Sequence, residues 1–235
     1  MKKFKLYEAL HKAYGDKPAW QEVDEVLKAE APSMASSKEP ITPFENLIIG
    51  ILSQTTSDRN STRAYIGLAR KFKIEPQALA EADEAEIREA IRPGGLHNVK
   101  AKRIKAFATS VMEKYGGDLT SVLMLPYEEA RKKLDELPSI GVKTADVCLA
   151  YCARQAVLPV DTNIERVTKR LGLASNDATY GEIQKALEEV IPPAHRVRGH
   201  ELLVRLGRDY CKPRKPSCES CPLLNMCAYG SEMKS

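Results

Sequence analysis

Aromatic side chains are scarce in this 235-residue chain, 6% of the total with one tryptophan. That argues against a single-strand binder built on stacked bases. No run approaches 18 consecutive apolar residues, so no membrane span is expected. The opening MKKFKLYEALHKAYG carries charges throughout and has no apolar centre, unlike a signal peptide. Strict apolar–polar alternation is absent, and with it the signature of half-buried strands. No internal repeat, low-complexity tract, heptad or large apolar stripe is evident, so a monomer is expected. What remains is an ordinary globular composition, 43% hydrophobic and 29% charged. Its net charge of +4 permits a polyanionic partner without demanding one.

Helix signals dominate, and the fold class is read as all-α. Thr42-Pro43-Phe44-Glu45 supplies an N-cap, a proline at N1 and an acid near N3, ahead of the apolar run Leu47 to Leu52. Residues 76–92 read as two short acidic helices stopped by Pro93-Gly94-Gly95. Lys100 to Lys114 reads as a basic amphipathic helix closed by Gly116-Gly117. Leu125-Pro126 opens another, with Ala130, Leu134 and Leu137 at helical spacing. Asp161 is placed to N-cap a helix over Thr162 to Leu171 that Gly172 ends. Two more helices fit 179–191 and 195–208, and residues 30–40 read as a linker or crossover.

LPSIGVKTADV, at 137–147, has the pattern of two helices joined by a tight turn. Such a turn aims successive backbone N–H groups outward at the start of the second helix, where they can hold a phosphate oxygen without reading sequence. It also serves as a plain helix–helix corner in a core. Lys143 in that first turn is unfavourable for stability, because a helix N-terminus already carries partial positive charge. Two basic groups accompany it: Lys100, Lys102, Arg103 and Lys105, then Arg196, Arg198, Arg205, Arg208, Lys212, Arg214 and Lys215. Either alone is a solvated face; together they suggest phosphate contacts.

Four of six cysteines, Cys211, Cys218, Cys221 and Cys227, fall within 17 residues at spacing C-x6-C-x2-C-x5-C. In a reducing compartment such density points to a metal. Structural zinc favours paired Cys-x2-4-Cys knuckles, and only Cys218 and Cys221 form one, but spacing alone leaves zinc and iron–sulfur both open. Cys148 and Cys152 lie in an apolar helix and read as core thiols.

The hairpin LPSIGVKTADV, the stretch VDTNIERV at 160–167 and the cysteine tail, in that order, resemble the endonuclease III family of DNA glycosylases, over roughly Pro43 to Cys227. ILSQTTSD at 51–58 and GLHNVKAKRI at 95–104 resemble that family's earlier segments. The resemblance implies a two-domain helix-hairpin-helix glycosylase fold. A six-helix barrel domain would occupy 41–155. Residues 1–40 and 156–235 would form a domain holding a structural [4Fe–4S] cluster on Cys211, Cys218, Cys221 and Cys227. It implies Lys143 as nucleophile, activated by the helix N-terminus and partial desolvation, and Asp161 as its paired carboxylate. It places Gln54, Leu137, Ser139, Ile140, Gly141, Val142 and Thr144 against double-stranded DNA that carries a damaged base or an abasic site.

The implied activity is a bifunctional glycosylase and AP lyase on oxidised pyrimidines. Rivals are a glycosylase for a mismatched base or an oxidised purine and, from another class, a non-catalytic iron–sulfur DNA-binding protein. The implied location is the cytoplasm, at the nucleoid if the source is bacterial or archaeal. Three departures stand out. ILSQTTSD differs from the family's usual pattern around Gln54, in the region that helps fill the space left by the flipped base. Ser139 replaces the first glycine of the family's L-P-G-x-G turn, so a tighter or shifted turn is expected. Asn163 stands where the oxidised-pyrimidine enzymes usually carry histidine, which removes the imidazole a proton relay would use.

Overall fold

The computed structural model describes residues 5–16, 20–37 and 40–232. Residues 1–4, 17–19, 38–39 and 233–235, parts of the expected terminal domain and of the 30–40 linker, lie outside the described residues. Among the described residues fifteen α-helices follow one another: α1 Lys5–Tyr14, α2 Gln21–Glu30, α3 Pro32–Ala35, α4 Pro43–Ser53, α5 Asp58–Lys71, α6 Pro76–Glu81, α7 Glu84–Ala90, α8 His97–Tyr115, α9 Thr120–Leu123, α10 Tyr127–Asp135, α11 Val142–Tyr151, α12 Thr162–Leu171, α13 Tyr180–Val190, α14 Arg196–Asp209 and α15 Ala228–Glu232. Among the described residues there is no strand, and no helix is long and apolar enough to cross a membrane.

The chain divides into two compact units. The central one spans Trp20–Arg154, and the other joins α1 to the chain from Gln155 onward. In the central unit α4 is the core helix, with Leu47, Ile48, Ile51 and Leu52 wholly buried. Its start is the capping box the sequence announces: Thr42 Oγ1 accepts from Glu45 N at 3.2 Å, and Glu45 Oε2 accepts from Thr42 N at 3.3 Å. Phe44 stacks on Phe107 of α8, with ring centroids 5.2 Å apart.

The boundary differs from the sequence reading, which assigns residues 1–40 to the terminal domain. Residues 20–37 belong with the central unit, because Val26 and Ala31 bury against Ile66 of α5. Arg63 of α5 adds an ion pair at 2.7 Å to Glu30.

In the terminal unit α12 buries Ile164, Val167 and Leu171, and it packs on α14, which buries Leu202, Leu203, Val204 and Leu206. Helix α1 adds Leu6 and Leu10 to this core, and Arg198 of α14 donates to Gly15 O at its end at 2.7 Å.

Candidate functional site

The hairpin joins α10 to α11. Leu137 and Ile140 are buried and anchor it in the central core. Ile140 N donates to Leu137 O at 3.1 Å, closing the turn. Ser139, inside that turn, has φ +67, a left-handed conformation that glycine adopts freely and serine does not. The expected tighter or shifted turn is therefore replaced by a turn of the glycine kind, carried by a strained serine. Helix α11 starts at an N-cap glycine, Gly141, with no side-chain cap. The N–H groups of Thr144 and Ala145 already bond to Gly141 O, at 2.9 and 3.0 Å. Those of Gly141, Val142 and Lys143 have no partner among the described residues, so three consecutive donors face outward, the arrangement that binds an anion.

Lys143 itself is exposed, so the chain alone does not supply the desolvation expected of it. Thr144 is buried, its methyl facing Gly50 of α4, where a Cβ would lie 2.6 Å away. Of the expected DNA contacts, the side chains of Leu137, Ile140 and Thr144 thus belong to the core. Ser139, Gly141 and Val142 keep accessible surface.

Gln54, just past α4, spans two elements. Its Nε2 donates to Ser139 O at 3.0 Å, and its Oε1 accepts from Arg103 of α8 at 2.8 Å. Lys100, read from sequence as part of a phosphate-binding run, is only 1% exposed. Its Nζ donates to Leu52 O at 2.7 Å and Gly94 O at 3.3 Å, fastening the last turn of α4 to the turn before α8. Burial first, and Arg103 second, hold its ammonium below its ordinary pKa. Lys105 is similarly committed, to Ala82 O at 2.5 Å. The turn before α8 presents Leu96, which no sequence signal singles out: it is 55% exposed at φ +51.

The second basic group also shrinks. Arg196 pairs with Glu188, Arg198 with Glu201 and Arg205 with Asp209, leaving Arg208 exposed at the end of α14 and Lys212, Arg214 and Lys215 exposed in the cysteine loop.

In the terminal unit Asp161 caps α12, its Oδ1 accepting from Ile164 N at 2.8 Å. Its Oδ2 accepts from Asn163 Nδ2 at 3.1 Å, while Asn163 Oδ1 accepts from Arg166 Nη2 at 2.8 Å. Asn163 is therefore an orienting group for the carboxylate. Arg166 Nη2 also donates to Gly207 O at 3.0 Å, and its Nε to Cys211 O at 2.7 Å. Gly207 is required here, because a Cβ would stand 2.8 Å from Asn163 Cβ.

All six cysteines are free thiols. Cys148 is buried and hydrogen-bonds to Cys152, as core thiols do. The other four lie, partly buried, in the loop between α14 and α15. Burial pushes the Cys221 and Cys227 thiols up, and the negative charge of the neighbouring cysteines pushes further in the same direction. Four thiolates crowded into a half-buried loop need a compensating cation.

A two-helix hairpin with an outward amide cluster, an exposed lysine at its edge and a four-thiol loop define a helix-hairpin-helix DNA repair protein. The model for the HhH-GPD superfamily of base excision DNA repair proteins matches residues 48–193, and that for the iron–sulfur binding domain of endonuclease III matches 211–227. Endonuclease III of Thermotoga maritima is 31% identical over 207 residues, 88% of this chain and 92% of that protein. The Bacillus subtilis endonuclease III is 33% identical over 190 residues, 81% of this chain and 83% of that protein. A solved structure of a trapped endonuclease III–DNA covalent intermediate superposes with TM-score 0.72 at 29% identity, covering 92% of this chain and 96% of that one. A thermostable thymine-DNA glycosylase, at 22% identity and TM-score 0.70, shares the fold.

The chain belongs to the endonuclease III family. It is a base excision repair DNA glycosylase whose partner is damaged duplex DNA, and it carries a [4Fe–4S] cluster. The residues present fit that group. Among the described residues no three His, Cys, Asp or Glu side chains are gathered as a single ion would require. The four loop thiols are nonetheless close enough to repel one another, and a four-iron cluster takes four thiolates spread over its own width.

Proposed function

We propose that the protein removes oxidised pyrimidines from duplex DNA and nicks the abasic strand through a Schiff base on Lys143, with Asp161 as the assisting carboxylate. The observation that carries this reading is the position of Lys143, exposed and one residue beyond Gly141 and Val142 in a row of unpaired amides. A backbone phosphate held by those amides brings the deoxyribose beside the amine without reading sequence. Gln54 and Leu96, next to the segments that Lys100 fastens together, enter the stack around the extruded nucleotide. The closing duplex excludes bulk water from the step, and the neutral amine of Lys143 is the nucleophile.

The Nζ lone pair attacks C1′, the C1′–N bond breaks with its electron pair going to the base, and the base leaves with the proton that the attacking amine sheds. Asp161, fixed by Ile164 N and Asn163, stabilises positive charge on the sugar as that bond lengthens. After ring opening the lysine nitrogen and C1′ form an iminium. Loss of the C2′ proton expels the 3′ phosphate and cuts the strand. The place of action is the chromosome, the nucleoid in a bacterial or archaeal cell.

The test is borohydride trapping on a duplex carrying one thymine glycol, beside Lys143→Gln. A covalent protein–DNA band from the wild type alone is expected. Wild-type trapping on an abasic duplex but not on thymine glycol would remove oxidised pyrimidines from the reading and keep the lyase. No band on either duplex would overturn it.

A further inference from the structure

Cys211 Sγ has a donor that the repair chemistry does not use. Arg170, in the last turn of α12, points Nη1 at Cys211 Sγ, 3.4 Å away. The same nitrogen donates to Lys212 O at 2.8 Å, and Nη2 donates to Pro213 O at 3.2 Å. The guanidinium carbon lies 4.7 Å from the Tyr229 ring centroid, a cation–π contact from α15. The backbone oxygen of Arg170 is 3.3 Å from Cys227 Sγ. One residue therefore touches the first and the last cysteine of the loop and both flanking segments. The next position but one is Gly172, at φ +76, where a Cβ would lie 3.1 Å from Ala228 Cβ. The end of α12 is thus shaped to receive the loop.

We propose that Arg170 is a positioning residue for the iron–sulfur cluster, and that its N–H···S bond and charge set the cluster's reduction potential. Adding an electron makes the cluster more negative by one unit, and the charge resides partly on the cysteine sulfurs. A guanidinium donating to one of them is worth more in the reduced state than in the oxidised one. Hydrogen bonds to the sulfurs are one of the terms that fix iron–sulfur potentials. The carbonyls of Lys212 and Pro213 and the face of Tyr229 hold the guanidinium plane, so the donor stays aimed whether or not an electron is present. Arg166, one turn earlier, meets Cys211 at its carbonyl, and so it holds the backbone there and not the sulfur.

The experiment is voltammetry of the cluster-loaded full chain, comparing wild type with Arg170→Gln, Arg170→Lys and Arg214→Gln. Arg214 is exposed in the same loop, so its change removes one charge without removing an N–H···S bond. Arg170→Gln should lower the potential by about 59 mV, a tenfold change in the oxidised-to-reduced ratio for a one-electron couple. Arg170→Lys should fall between it and wild type, and Arg214→Gln should stay near wild type. Voltammetry reports only on loaded molecules, so a variant that holds less iron is still read. An unchanged potential in Arg170→Gln, or one that moves no further than in Arg214→Gln, would overturn the proposal. Neither result bears on Lys143, whose trapping is read separately.

Discussion

Ser139 offers a direct test of how the hairpin is built. At φ +67 its Cβ crowds the backbone, which costs an L-residue about 1–2 kcal/mol in the left-handed region. Its hydroxyl has no hydrogen-bond partner among the described residues, so nothing made by the side chain offsets that strain. Ser139→Gly removes the strain but adds freedom to the unfolded chain, a cost of about 0.5–1 kcal/mol. Taking the middle of each range, the net is a gain of about 0.5–1 kcal/mol. For a chain of this size, that is roughly 1–4 °C in Tm. Ser139→Val sends the balance the other way, since a β-branched side chain tolerates positive φ least. The bond from Gln54 Nε2 to Ser139 O uses the backbone and survives both changes, so the amide row should keep its aim. Urea unfolding of the three proteins, followed by circular dichroism, orders them glycine above serine above valine. Affinity for an abasic duplex should match between glycine and serine. A glycine variant no more stable than wild type would refute the strain argument.

Asp161→Asn separates capping from chemistry. Asparagine caps helices as well as aspartate, so stability should move by less than about 1 kcal/mol while base excision falls about 10²–10³-fold; Asp161→Ala should lose about 1 kcal/mol besides, and equal melting of the two variants would contradict the capping role. Gly50→Ala sets a Cβ 2.6 Å from Thr144 Cγ2, and should cost about 1–3 kcal/mol and slow trapping at the adjacent Lys143. Adding Thr144→Ser removes that methyl and should restore both, and additive losses in the double variant would show that the two sites do not meet. Burial, aided by Asp209, Glu45 and Asp146 respectively, raises the phenol pKa of Tyr14, Tyr65 and Tyr127 above 10.0. Raised folded values mean the unfolded chain ionises first, so this stability is intact below pH 10 and is lost above it. The loss approaches about 1.4 kcal/mol per pH unit for a phenol held neutral by the fold, and is smaller for Tyr65 and Tyr127, which are only partly buried. The three outweigh Lys100, whose lowered pKa acts in the opposite sense, so the urea midpoint should fall between pH 9 and pH 11. A flat midpoint would count against their burial.

Helix ends were the most legible part of the chain, because their chemistry is local. Thr42 with Glu45, Pro93-Gly94-Gly95, Gly116, and Asp161 with Gly172 each mark a boundary that the backbone obeys. Helix α5 was not legible. Its buried face includes Ser61, Thr62 and Ala64 beside Ile66 and Leu68, which gives little contrast with its charged side. The grouping of residues 20–37 with the central unit is not legible either, because it rests on Val26 and Ala31 meeting Ile66, a contact between segments far apart in sequence. Of the site, the residue types and their order could be read. The left-handed turns at Ser139 and Leu96 could not, since neither is glycine.

The basic residues show why a count of charges overstates a DNA interface. Lys100 sits four residues before Ile104 and seven before Phe107, on the buried stripe of α8, whereas Lys102 is on its wet side. That periodicity was present in the sequence and outranks the charge run. Arg196, Arg198 and Arg205 have carboxylates three, four or eight residues away on the same or the preceding helix, and they are taken up by those partners. Cations already paired within a unit release few counterions on binding DNA. The phosphate contacts then rest on the uncharged amide row of the hairpin and on the exposed cations Lys102, Arg208, Lys212, Arg214 and Lys215, of which the trio Lys212, Arg214 and Lys215 is the densest. The salt dependence of binding to an undamaged duplex should therefore drop when the trio is replaced by glutamine. It should stay nearly unchanged in Arg196→Gln, because that charge is already paired with Glu188.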